Sequence, residues 1–243
     1  MGKYFFKQED RHGDNVILTG NTAHHMRHVM RLDINSEVIL CDGNSNDYIA
    51  KLDSFTEKPL MLTFKLMAPR PCTSEFLHPI TLYQGLPKND KMNSIIEKCI
   101  EVGVTTIVPV CTMRSVVKVK DATKKAERYS KIAESAASQS MRGIIPLVCE
   151  PESFDKALKR CSNTLTLIAY ENEREVSIKT VLTKHPPQPI SIWIGPEGGF
   201  DVTEVIALKN TGAVQISLGP RILRTETAGI VAIAQILNTW DGY

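Results

Sequence analysis

Two short runs combine residue types that could build a ligand loop. Ile194 to Phe200 reads IGPEGGF, and Leu218 to Ala228 reads LGPRILRTETA. Each places a Gly-Pro pair straight after an apolar run, and each carries charge. Glycine lets backbone approach a ligand closely, while proline fixes φ and donates no N–H, so a rigid, narrow loop follows. A phosphate cradle needs many free N–H groups and usually a lysine, in the spacing G-x-x-x-x-G-K-[ST]; neither run has it. The G-x-G-x-x-G dinucleotide fingerprint is also absent. An adenosyl-type ligand without polyphosphate, held by backbone carbonyls and amides, fits better. Glu197 reads two ways, as a ligand contact or as a cap on a helix starting near Asp201.

Other candidates are weaker. His24, His25 and His28 cluster, but no carboxylate or cysteine pattern accompanies them as a metal site would require. Cys41, Cys72, Cys99, Cys111, Cys149 and Cys161 are scattered without a C-x-x-C pair, which points to reduced thiols rather than zinc or a disulfide framework. Between Thr112 and Arg142 eight basic residues (Arg114, Lys118, Lys120, Lys124, Lys125, Arg128, Lys131, Arg142) face three acidic ones (Asp121, Glu127, Glu134). That excess suits either a solvated helix face or a surface that tracks phosphates. The whole chain carries only +2, too little by itself to mark a nucleic-acid binder.

The elements that must position these residues can be read from periodicity. Up to about residue 70, the β-prone runs NVILTG, SEVILCDG, NDYIAKLDSF and LMLTFKLM alternate with turn signals and predict a small barrel or sheet. Thr22 to Arg31 is the exception, with Ala23, Met26, Val29 and Met30 at helical spacing behind a Thr22 cap. Three prolines in APRPCTSEFLHPI mark a linker near residues 69–78. Beyond it strand and helix alternate. PITLYQGL precedes a helix from Lys91 to Val102, TTIVPV one from Ala122 to Ser140, and IIPLVCE one from Ser153 to Arg160. TLTLIAY precedes a short helix, PISIWIG precedes Val202 to Leu208, and AVQISLG precedes Thr225 to Leu237. Such alternation with nearly continuous apolar strands predicts an α/β domain with a parallel sheet covered on both faces. Ligands of such sheets bind beyond the carboxyl ends of strands, where both Gly-Pro runs fall.

Size and composition agree with this picture. At 243 residues, 42% hydrophobic and 23% charged, the chain can bury a core without staples. No apolar run reaches the roughly 20 residues of a membrane span, and the start lacks a signal-peptide core, so a cytoplasmic protein is expected.

The two runs together resemble the signature of the RsmE family, the 16S rRNA uridine-N3 methyltransferases of the SPOUT superfamily. The resemblance continues through GLPKNDKMNSIIEKCIEVGV (Gly85 to Val104), ESAASQSMRGIIP (Glu134 to Pro146) and HHMRHVMRL (His24 to Leu32), and so covers essentially the whole chain. It implies a PUA-like β-barrel domain over residues 1–72 and a SPOUT methyltransferase domain over 73–243. The second would be an α/β fold whose parallel sheet ends in a trefoil knot, a threading that general connection rules alone would not suggest. S-adenosyl-L-methionine is the implied cofactor. Matching residues place it against Ala169 and Tyr170, then Ile194, Gly195, Glu197, Gly198 and Gly199, then Leu218, Gly219, Ile222, Leu223, Arg224 and Thr225.

The implied partner is 16S rRNA within the small ribosomal subunit, met by a homodimer, with no metal and no membrane. RNA contacts would fall on His25 and Arg31, on Gln139 and Arg142 of the family's Q-x-x-R segment, and on Lys88. Lys3 stands where the family commonly has arginine, which would weaken a bidentate contact there. Methylating N3 of uracil requires loss of the N3 proton, and Arg224 is the expected stabiliser of the resulting anion. Glu226 and His25 are the candidates for a general base. A non-catalytic RNA-binding or ribosome-assembly factor that keeps the cofactor pocket is the alternative.

Overall fold

A computed structural model describes residues 2–116, 121–161 and 164–241. It divides into two compact units, one holding residues up to Glu75 together with Ala137–Ile145, the other holding Phe76–Ala136 and the chain from Pro146 onward.

The first unit is built on strands β1 (Lys3–Phe5), β2 (Arg11–His12), β3 (Asn15–Thr19), β4 (Glu37–Cys41), β5 (Asn46–Glu57) and β6 (Leu60–Pro71). They form one sheet in the order β1-β4-β5-β6-β3-β2, antiparallel throughout except for the parallel β1–β4 pair. Strand periodicity explains its core: Val16 and Leu18, Val38 and Leu40, Ala50 and Leu52, and Leu62 and Phe64 alternate along their strands and are all buried together. Register matches this pattern, with Val16 and Leu52 both opposite Phe64.

Two expectations change here. The helix predicted from Thr22 begins earlier, as α1 (Gly20–His24) behind Thr19, and then widens into a π-helical turn over His25–Val29. Arg31 lies past it in a left-handed conformation, φ 55°. The first two prolines of the expected linker, Pro69 and Pro71, belong to β6 and pair with β5. Proline is tolerated there because β3 pairs with β6 only as far as Lys65, so the remainder of that edge needs no N–H donor.

The second unit alternates as expected. It runs β7 (Ile80–Gly85), α2 (Lys91–Val102), β8 (Thr106–Cys111), α3 (Ala122–Gln139), β9 (Leu147–Val148), β10 (Glu152–Ser153), α4 (Phe154–Arg160), β11 (Leu165–Ala169), α5 (Ile178–Leu182), β12 (Ile190–Ile194), α6 (Val202–Asn210), β13 (Val214–Ile216) and α7 (Thr225–Trp240). All its strand pairs are parallel, in the order β10-β8-β7-β12-β11-β13, with β9 also on β8. Every residue of the central strand β12 is buried, as a sheet covered on both faces requires.

Aromatic packing fixes the middle of this sheet. Trp193 of β12 is fully buried and stacks on Tyr83 of β7 with centroids 4.4 Å apart. α2 buries Met92, Ile95, Ile96, Cys99 and Ile100 at helical spacing. α7 approaches it closely at Gly229, where a Cβ would stand 3.3 Å from Leu82 and 3.4 Å from Cys99. The register Gln84–Ile194, Ile168–Trp193 and Ala169–Ile216 brings the carboxyl ends of β7, β12, β11 and β13 to one edge. Among the described residues no helix is long and apolar enough to cross a membrane.

Candidate functional site

The first Gly-Pro run leaves β12 at Ile194 and turns at once. Gly199 N–H donates to the Pro196 carbonyl at 2.9 Å, and Gly199 takes φ 68°, a conformation that suits glycine. A Cβ on Gly85 would meet the Pro196 backbone at 2.6 Å, so a larger residue there would force the backbone to shift, and one on Gly195 would press on Gly199 at 3.0 Å. Phe200 is buried beside Trp193 and anchors the far end of the loop.

The cap of α6 is Asp201 rather than Glu197. Asp201 accepts from Thr203 N–H at 3.0 Å, and Glu204 returns a bond from the Asp201 N–H at 3.0 Å. Glu197 instead accepts from the Lys88 N–H at 3.2 Å and pairs with Lys91 Nζ at 3.1 Å. Burial acts to raise the Glu197 pKa, but its own backbone N–H, Lys91 and the Lys88 N–H outweigh it and hold the carboxyl below the ordinary range. Arg114 secures the loop from the other side, donating to the Gly198 carbonyl at 2.9 Å and reaching Asp201 at 3.4 Å.

The second run leaves β13 and ends at α7, whose N-cap residue is Arg224. The Thr225 hydroxyl donates to the Gly195 carbonyl at 2.6 Å, which joins the second run to the first. Lys91 joins them again on the outside, lying 3.3 Å from Glu226 while it holds Glu197. The Glu197 hydrogen bond raises the Lys91 pKa; partial desolvation opposes this, and Glu226 adds to the rise. Glu226 is held below its ordinary value, first by its own backbone N–H and also by Lys91. That direction is opposite to what a general base near neutrality needs.

Between the two runs and the end of β11 lies an open cleft of about 1030 Å³. All thirteen positions matched to the cofactor line it: Ala169, Tyr170, Ile194, Gly195, Glu197, Gly198, Gly199, Leu218, Gly219, Ile222, Leu223, Arg224 and Thr225. Arg224 is exposed and makes no hydrogen bond through its guanidinium with any described residue, though its charge helps to hold Glu226 below the ordinary value. Sequence reasoning missed Glu171, Arg174, Arg221 and Lys91 as lining residues. It also missed the buried Gln84, whose signal was a lone amide in the apolar run ITLYQG.

The expected RNA contacts divide. His25, Arg31, Lys88 and Gln139 are exposed. Lys3 and Arg142, expected to meet RNA, are buried in the first unit. The Lys3 side chain is fully buried, 2.7 Å from Asp47. Arg142 is 3% exposed and grips Glu75 through Nε at 2.9 Å and Nη2 at 2.6 Å. The adjoining Gly143 explains why: its carbonyl accepts from Ser45 N–H at 2.9 Å, and a Cβ there would meet Cys72 at 2.8 Å. The segment that ends α3 is thus bound against β4–β6 strand ends, with the arginine turned inward. Within the basic stretch Arg128 pairs with Asp90 at 2.8 Å, while Lys118 and Lys120 lie outside the described residues.

An open cleft at the carboxyl ends of parallel strands, walled by glycine backbone and by Ile194, Leu218 and Leu223, defines a small-molecule site in an α/β protein. The chain belongs to the RNA methyltransferase domain family, whose model matches residues 74–237, and a model of the RNA methyltransferase PUA domain matches residues 18–60. It is similar to the ribosomal RNA small subunit methyltransferase E of Bacillus subtilis, 36% identical over 97% of this chain and 96% of the relative. The protein of that name from Rickettsia conorii is 34% identical over 90% of this chain and 88% of its own. Among solved structures, the ribosomal RNA small subunit methyltransferase E of Neisseria gonorrhoeae, bound to S-adenosyl methionine, superposes with a TM-score of 0.88 at 29% identity, covering 99% of this chain and 98% of that one.

Proposed function

We propose that the protein is an S-adenosylmethionine-dependent methyltransferase acting on N3 of a uridine in small-subunit ribosomal RNA. The observation that carries this reading is the convergence of both Gly-Pro runs and the β11 end on one cleft. The lining fits such a cofactor. Apolar side chains and glycine backbone suit an adenosine, Pro196 and Pro220 remove donors that a polyphosphate would want, and Glu171 and Glu173 would repel one. When bound, the cofactor supplies a methyl group on a positively charged sulfur.

The chain's own residues then have separable tasks. Arg224 would hold O2 or O4 of the uracil and so favour the anion formed when N3 loses its proton. Glu226 and Lys91 would hold the α7 start against the first loop rather than move protons. The proton would pass to solvent, and the base must leave its pairing partner before N3 is reachable. His25, Arg31, Lys88 and Gln139 would contact the RNA, chiefly through its backbone. The knotted threading and the homodimer rest on the family resemblance. The apolar side of α7 packs within its own chain, burying Ala232, Ile233 and Ile236, so its composition is accounted for without a partner. Sedimentation analysis tests the dimer. Incubation with labelled S-adenosylmethionine and either small subunits or naked RNA tests the activity; no transfer to either by folded protein contradicts it.

A further inference from the structure

We infer that Glu171 is the counter-charge through which the cleft distinguishes its cationic donor from the neutral product, an inference that rests on the proposed cofactor.

Four carboxylates line or border the cleft, and three are committed. Glu173 accepts from the Glu175 and Val176 N–H groups at 2.8 and 2.9 Å. Glu197 holds Lys88 N–H and Lys91, and Glu226 faces Lys91. Glu171 makes no hydrogen bond or ion pair through its carboxylate with any described residue, Arg174, Arg221 and Arg224 of the same cleft included. Yet it is packed against the loop: its Oε1 stands 2.8 Å from where a Cβ on Gly199 would be. Only glycine at that left-handed position lets a carboxylate lie so close to the backbone.

The chemistry of the two ligands supplies the rest. S-adenosylmethionine and S-adenosylhomocysteine differ by one methyl group and one positive charge on sulfur. Apolar walls and backbone carbonyls treat them nearly alike, whereas the exposed Glu171 carboxylate on the cleft wall attracts the first more than the second, by an amount that solvent reduces. An uncommitted Glu171 therefore favours donor entry and product departure.

The test is calorimetry on the full chain with each ligand, comparing wild type with Glu171→Gln, which keeps shape and removes charge. Donor affinity should fall about tenfold and product affinity change by less than about threefold, in line with one partly solvated charge pair. Glu171→Asp should recover part of the donor affinity, and thermal unfolding should match wild type. Equal losses for both ligands, or no loss for either, overturn the inference alone. Failure of the wild-type protein to bind either ligand overturns the cofactor reading beneath it as well.

Discussion

The Thr225 hydroxyl donates to the Gly195 carbonyl at 2.6 Å while accepting from Gln84 Nε2 at 2.8 Å. One buried side chain thereby ties the start of α7 to the first Gly-Pro loop and to the end of β7. Thr225→Val keeps the shape but strands the Gly195 carbonyl and a Gln84 donor, a cost of about 1–3 kcal/mol in urea unfolding. Thr225→Ser should cost less than half as much and keep cofactor affinity. Equal behaviour of the two variants would show that packing, not the hydrogen bonds, holds the loop.

Lys91 is the outer tie between the same two loops. Lys91→Met leaves Glu197 and Glu226 facing each other without their shared cation, and both carboxyl pKa values should rise toward the ordinary range. Because the lysine is one-third exposed, the thermal midpoint should move little, while cofactor affinity and turnover fall. Lys91→Arg should restore much of both. Carboxyl titration by NMR and ligand titration report the two effects separately.

The adjacent glycines of IGPEGGF should respond differently to substitution. A Cβ on Gly198 meets nothing nearer than Arg114 at 3.4 Å, and its backbone needs no left-handed conformation. Gly198→Val is therefore expected to fold and to obstruct the cleft, seen as lost cofactor binding at unchanged stability. Gly199→Ala meets both the φ of 68° and the Glu171 carboxylate, and should lose about 1 kcal/mol or more of stability as well.

Acid stability follows from Glu75. Burial acts to raise its pKa, but the hydrogen bonds and charge of Arg142 and the Gly143 N–H outweigh it and hold it below 4.5. A carboxyl depressed in the folded state stabilises fully above its unfolded value, and that contribution is lost as pH falls through the folded value. Unfolding of the first unit should thus ease progressively below about pH 4.5. Glu75→Gln should remove that pH dependence and, by taking the carboxylate from a buried guanidinium, cost about 3 kcal/mol at neutral pH.

Much of this was legible in the sequence because it was local. The helix expected from Lys91 to Val102 has those bounds in the fold, and the apolar strands announced the parallel sheet. The burial of Lys3 and Arg142 was not legible because their partners, Asp47 and Glu75, lie 44 and 67 residues away, and charge alone reads as surface. The π-helical turn at His25–Val29 kept a helical apolar pattern and so concealed its different winding. In the sequence Lys91 reads as the start of a helix; the fold shows that it stands between two carboxylates from separate loops.

We propose that this cleft delivers a methyl group to N3 of a uridine in small-subunit RNA, with Arg224 holding the uracil anion. The direct measurement is nucleoside mass spectrometry of small-subunit RNA after incubation with S-adenosylmethionine and either wild type or Arg224→Ala. Wild type should yield 3-methyluridine, and Arg224→Ala should lose at least about 100-fold in rate at unchanged thermal stability. Cofactor binding without methylated uridine, or near-normal turnover by Arg224→Ala, would contradict it.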